Sequence, residues 1–117
     1  MKETEVERRF ADHLTAQGWE VTLDDPGYVD VIAKRPEEIT LVAETTGHTS
    51  SPGLDVDTMV GQLLRRMTDL SSATRYAVVV PEDVVPKVHR IPREVLRTLR
   101  IEVWSVPASG APERIDQ

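Results

Sequence analysis

Gly27-Tyr28-Val29-Asp30-Val31-Ile32-Ala33, followed after the turn Arg35-Pro36-Glu37-Glu38 by Leu41-Val42-Ala43-Glu44-Thr45-Thr46-Gly47, decides how this chain folds. Each stretch is an apolar run of strand length interrupted by one acid. Successive side chains in a strand take opposite faces, so Asp30 shares a face with Tyr28 and Ile32, and Glu44 shares one with Val42 and Thr46. A half-buried carboxylate costs free energy unless something binds it. The turn length predicts antiparallel pairing, which makes Asp30 and Glu44 candidates to chelate one hard divalent cation. The carbonyl of Thr45 and water would complete an oxygen shell suited to magnesium. The structural alternative for either acid is a strand-end carboxylate that pairs with an arginine or caps a turn.

Outward from this pair, Val6, Phe10, Ala11 and Leu14 recur at helical spacing within residues 3–17, and Gly18 supplies the stop. Trp19 to Leu23 alternates as a strand and ends in the turn cluster Asp24-Asp25-Pro26-Gly27. With strands at 28–33 and 39–45 it predicts a three-stranded meander. Gly47 to Gly53 has loop composition and is expected to be exposed and mobile. Asp55 or Asp57 is the expected cap of a second helix with the stripe Val56, Val60, Leu63, Leu64, Met67 and Leu70. Tyr76 to Val80 is a continuous apolar run stopped by Pro81, as in a central strand covered on both faces. Residues 84–100 read as broken helix packed through Val95, Leu96 and Leu99, with Pro86 and Pro92 as interruptions. Ile101 to Val106 is the last expected strand. The reading is one α/β domain over residues 1–106, ordered α-βββ-α-β-(α)-β, with a disordered tail over 107–117.

A chain of 117 residues is the size of one domain and can bury a core without staples. Cysteine is absent, which excludes disulfides and thiolate metal sites and agrees with a cytoplasmic protein. No segment approaches the roughly 20 apolar residues of a membrane span, and the N-terminus lacks a signal-peptide core. The net charge of −6 counts against a general polyanion binder. It conceals an asymmetry: residues 1–61 hold 5 Lys/Arg against 13 Asp/Glu, whereas residues 62–100 hold 8 against 4. His13, His48 and His89 have no partners at metal-ligand spacing and are expected to face solvent. Trp19 and Trp104 fit packing positions better than base-stacking platforms.

The two acid-bearing stretches resemble the core of the PD-(D/E)xK nuclease superfamily, especially its small resolvase-like and restriction-endonuclease-like members. Those read G-x-x-D followed by apolar residues and then (apolar)3-E-x-K. The resemblance extends over about residues 3–106 and implies a restriction-endonuclease-like sandwich, a mixed sheet with an antiparallel meander flanked by helices. It implies Asp30 and Glu44 as metal ligands for magnesium or manganese, with Glu7 on the first helix completing the site and Glu3 as second choice. It also implies a role for Gln62 in the stretch Gly61-Gln62-Leu63-Leu64-Arg65-Arg66, with Arg65 and Arg66 as contacts to DNA phosphates. The departure is Thr46, which stands where the family has its catalytic lysine. That lysine neutralises developing charge, and a hydroxyl supplies none. The implied function is a nuclease-like protein, inactive or strongly attenuated, that serves as a nucleic-acid-binding or interaction module. The alternative is an active magnesium-dependent DNA endonuclease in which Arg66 replaces the lysine. Lys34 lies four residues beyond Asp30, roughly 13 Å along the strand, and is too remote for that role. A homodimer or a protein partner is expected in either case, because one small core offers little DNA-contacting surface.

Overall fold

The computed structural model describes residues 1–25 and 29–115. The turn predicted at 24–27 and the strand start at Tyr28 therefore lie partly outside the described residues. The order is α1 (Glu3–Ala16), β1 (Glu20–Asp25), β2 (Val29–Lys34), β3 (Thr40–Thr45), α2 (Pro52–Arg66), β4 (Thr74–Pro81), a 3-10 turn (Glu82–Val84), α3 (Val85–Val88), α4 (Arg93–Thr98), β5 (Ile101–Val106) and β6 (Glu113–Ile115). The six strands form one sheet in sequence order. Strands β1, β2 and β3 make the antiparallel meander, β4 and β5 run parallel to β3, and β6 returns antiparallel to β5.

The apolar run at 76–80 explains the two layers. Ala77 and Val79 face α1, where Val6, Phe10 and Leu14 pack with Val31, Ala33, Leu41 and Ala43. Tyr76, Val78 and Val80 face the other way, against Val56, Met59 and Leu63 of α2 and Val88 and Leu96 of α3 and α4. Each fully buried Leu or Phe contributes about 1.5–3 kcal/mol relative to exposure. Among the described residues no helix is long and apolar enough to cross a membrane.

Four expectations are corrected. The buried line of α2 is Val56, Met59 and Leu63, while Leu64 is 46% and Leu70 66% exposed. The helix stops at Arg66, so Leu70 no longer follows its period. In α4 only Leu96 is buried; Val95 and Leu99 turn outward because a six-residue helix presents one narrow side to the sheet. Neither Asp55 nor Asp57 caps α2, which starts earlier, with Pro52 in its first turn, and Asp55 instead accepts a hydrogen bond from the Thr49 hydroxyl. The segment expected to be a disordered tail contributes β6, with Pro112 buried and Ile115 packed against the α2-side core. Its compositional bias is outweighed by anchoring. Arg9 of α1 donates to the carbonyls of Pro107 at 2.5 Å and Gly110 at 2.6 Å.

Candidate functional site

The pairing Val31↔Ala43, continued by one residue, brings Asp30 opposite Glu44 at the open end of the meander. Thr45 fixes Asp30: its backbone N–H donates to Asp30 Oδ2 at 2.9 Å, and its hydroxyl lies 3.3 Å from the same oxygen. Two acids of α1 arrive from the other side. Glu3 and Glu7 are four residues apart and so share one side of the helix. Glu7 is buried, and the Oε1 atoms of Glu3 and Glu7 each stand 3.5 Å from the Thr45 hydroxyl.

Carboxylate oxygens of Glu3, Glu7 and Asp30 all lie within 4.8 Å of one another. A threonine hydroxyl has one proton to donate, so it cannot satisfy three carboxylates together. Like charges this close favour a shared proton or a bound cation. The donor set is all oxygen, which is the chemistry hard divalent cations select.

Glu44 is 2% exposed and turns to the α2 side of the sheet. Its carboxyl is pushed up to about 8, first by burial, then by its hydrogen bond to Asp30 and the Asp30 charge, with Arg66 opposing. At neutral pH it is therefore a protonated acid donating to Asp30. Its Oε1 is buried and accepts no hydrogen bond among the described residues; Arg66 Nε stands 3.8 Å away. That oxygen lies beside Arg66, and Glu44 is not one of the group formed by Glu3, Glu7 and Asp30.

Arg66, in the last turn of α2, is half-buried and brings a positive charge to Glu44. Gln62 and Arg65 are exposed on the same helix, and the structure does not gather them with the acids. Thr46 is buried, and its N–H donates to the Val79 carbonyl at 3.1 Å, extending the β3–β4 pairing by one residue. Thr45 presents its hydroxyl and N–H to the acids, where its carbonyl was the expected ligand atom. Glu3, the second choice from sequence, joins the cluster on equal terms with Glu7.

One contributor, Gly47, was not read from the sequence. A Cβ on Gly47 would lie 2.3 Å from Glu3 N, 2.7 Å from Lys2 C and 2.8 Å from Met1 O, so the bare glycine is what admits the first turn of α1. A glycine at the end of the acid-bearing strand was visible as a signal, but its neighbour in space was not. His48 is exposed, as expected. It accepts from the Met1 amine at 2.6 Å and donates to Asp83 at 2.5 Å, a bond that holds the Asp83 carboxyl below its usual range. His89, expected in solvent, is instead partly enclosed, with a buried Nε2, and burial followed by the Arg93 charge pushes its pKa down.

No protein-family model matches the chain, and no curated protein matches it. Solved structures do. An XisH family protein from Nostoc punctiforme superposes with a TM-score of 0.59 at 19% identity, over 87% of this chain and 90% of that one. An fdxN element excision controlling factor protein from Anabaena variabilis gives 0.61 at 18% identity, over 90% and 89%. A protein of unknown function from Silicibacter pomeroyi gives 0.62 at 19% identity, over 100% and 71%. At these identities the likeness is one of fold: a mixed six-stranded sheet flanked by helices, the restriction-endonuclease-like sandwich.

Proposed function

We propose that this chain is a PD-(D/E)xK nuclease-like protein that keeps a divalent-cation site and binds DNA, with cleavage abolished or strongly attenuated by Thr46. The observation that carries this reading is the gathering of Glu3, Glu7 and Asp30 within 4.8 Å, with Glu44 bonded to Asp30, on a restriction-endonuclease-like sheet. Glu3, Glu7, Asp30 and Glu44 would hold magnesium or manganese, with the Thr45 hydroxyl beside them. A cation bound there would supply Lewis-acid polarisation of a phosphodiester and lower the pKa of a bound water.

The chain's own residues do the rest. Asp30, fixed by the Thr45 N–H, sets the position of the cluster, and Glu44 holds a proton that it must release before it can act as a ligand. Thr46 offers a hydroxyl but no charge to a developing anion. Loss of one stabilising donor costs about 10²–10³ in rate in other enzymes, and loss of a full charge is expected to cost at least that. DNA as the partner is supported by the basic balance of residues 62–100, where Arg65 is exposed. It is also supported by the name of one structural neighbour, an fdxN element excision controlling factor protein. A homodimer or a protein partner would extend the contact surface.

A second reading is favoured by one observation. Arg66 Nε lies 3.8 Å from Glu44 Oε1, so its guanidinium could serve where the lysine is missing, giving an active magnesium-dependent endonuclease. The two readings separate by experiment. Calorimetry with magnesium and manganese is expected to show binding that Asp30→Asn abolishes; no binding by the wild type would refute the cation site. On single-stranded, duplex and branched DNA the first reading expects no turnover by the wild type and metal-dependent cleavage by Thr46→Lys. Cutting by the wild type at an ordinary nuclease rate, lost in Arg66→Gln, would establish the second.

A further inference from the structure

The crossover from β4 to β5 carries positive charge out of keeping with a protein of net −6. From Val85 to Arg100 it holds Lys87, Arg90, Arg93, Arg97 and Arg100 against the single acid Glu94. All five cations are exposed. Lys87 and Arg90 stand one turn apart at the end of α3, where the Arg90 N–H reaches the Lys87 carbonyl at 3.4 Å. Arg93 and Arg97 are four residues apart on α4 and share one side of it.

An exposed cation is ordinarily explained by an acid beside it. Among the described residues, Lys87, Arg90 and Arg93 form no salt bridge and no side-chain hydrogen bond. Asp83, just before α3, is bonded to His48, and Asp55, at the start of α2, to Thr49. Arg97 and Arg100 are engaged within the chain, Arg100 with the Leu70 carbonyl, and only add to the field. Arg90 is the clearest case. A Cβ on Gly53 would lie 2.6 Å from its Nη1, so its guanidinium rests over the first turn of α2. The N-terminal end of a helix is itself positive, and a cation gains nothing there. Stability of the fold does not explain that placement.

The length of the run points to its partner. Strands β4 and β5 pair in parallel from Tyr76↔Ile101 to Pro81↔Val106, so the crossover returns along five residue steps, roughly 17 Å. Duplex DNA carries one negative charge per roughly 1.7 Å of axis, so a span of that length meets about ten phosphates. A small anion would engage one or two of these side chains, whereas an extended polyanion meets the whole line. Four of the five cations are arginines, whose planar forks match phosphate oxygens.

We infer that the outer surface of α3 and α4 contacts the phosphate backbone of duplex DNA, through Lys87, Arg90 and Arg93. The inference rests on the DNA-binding reading above and names the face that carries it, on the β4–β5 crossover and away from the acids. It needs no divalent cation. Fluorescence anisotropy of a labelled duplex, titrated with the whole chain in EDTA at several salt concentrations, tests it. Three phosphate contacts predict a log–log salt slope of about −2.7 or steeper. Lys87→Gln/Arg90→Gln/Arg93→Gln should flatten that slope by about 2.7 and bind at least about tenfold more weakly at low salt. Lys87→Gln/Arg93→Gln, which leaves Arg90 over Gly53, should show a smaller loss of the same kind. Arg8→Gln, the same change of charge on the exposed side of α1, should leave the affinity nearly unchanged. A triple variant that binds as tightly as the wild type would overturn this surface and leave the DNA reading standing. No binding by the wild type, in EDTA or in magnesium, would overturn both. Binding in magnesium alone would place the contact at the acids and overturn this surface. Equal losses in Arg93→Gln and Arg8→Gln would reduce the effect to net charge and overturn it too. Competition by polyglutamate as effective as that by unlabelled duplex would overturn nucleic acid as the occupant.

Discussion

Glu44 carries the chemical tension of the molecule in a single side chain. Its folded carboxyl is raised to about 8 from an ordinary value of 4.5, by burial and by Asp30. A raised carboxyl binds its proton more tightly in the folded than in the unfolded state. Its contribution is fully present below about pH 4.5 and is lost as pH rises towards 8, at up to about 1.4 kcal/mol per pH unit. Glu44→Gln should therefore flatten the dependence of stability on pH between 4.5 and 8, as read by chemical denaturation at several pH values. An unchanged slope would show that Glu44 is ionised. The same proton competes with a cation. Metal affinity is expected to rise about tenfold per pH unit below 8 and to level off above it, and proton release measured in two buffers of different ionisation heat would check that. Asp30 and Glu44 were legible as candidates because each breaks an apolar strand. The raised pKa was not, since it depends on how deeply Glu44 is buried and on which oxygen meets Asp30.

At the scale of elements, the site is a junction of α1 with the ends of β2 and β3, and Gly47 is the joint. Gly47→Ala would put a methyl group 2.3 Å from the backbone of Glu3, which forces the first turn of α1 away. Overpacking of this kind costs about 1–3 kcal/mol. The further expectation is a loss of manganese affinity larger than that caused by an alanine elsewhere on α1, such as Arg8→Ala on its exposed side, measured by calorimetry on folded protein. Equal affinities would remove Gly47 from the positioning of the acids. Helix and strand identities were legible here from periodicity alone, and β4 and β5 fell where the apolar runs predicted. The capping of α2 and the outward turn of Leu64, Val95 and Leu99 were not. A helix's apolar stripe is read modulo its exact ends, and those ends were decided by Pro52 and by the stop at Arg66.

For the whole molecule, one sheet joins both core layers, so a single cooperative unfolding transition is expected from residues 1–115. A cation that bridges α1 to the sheet stabilises the folded state by mass action, about 2.7 kcal/mol at a hundredfold excess over its Kd. Calorimetric melting with manganese should show one transition that shifts upward, and the shift should vanish in Asp30→Asn. Two transitions would mean that β6 and its anchor on Arg9 unfold apart from the rest. The segregation of charge, acidic before residue 62 and basic after it, is present in the chain as written. Folding turns it into two separate places, acids where α1 meets β2 and β3 and basic residues on the crossover between β4 and β5. The sequence by itself determined the element order, the antiparallel meander and the two strand acids, because these follow from local periodicity and turn chemistry. Only the tertiary structure decided that Glu3 and Glu7 meet Asp30, that Arg66 stands beside Glu44, that 113–115 is a strand and that Arg90 lies over Gly53. Each of those joins residues far apart in the chain, and their distances depend on packing angles and register that no local pattern encodes.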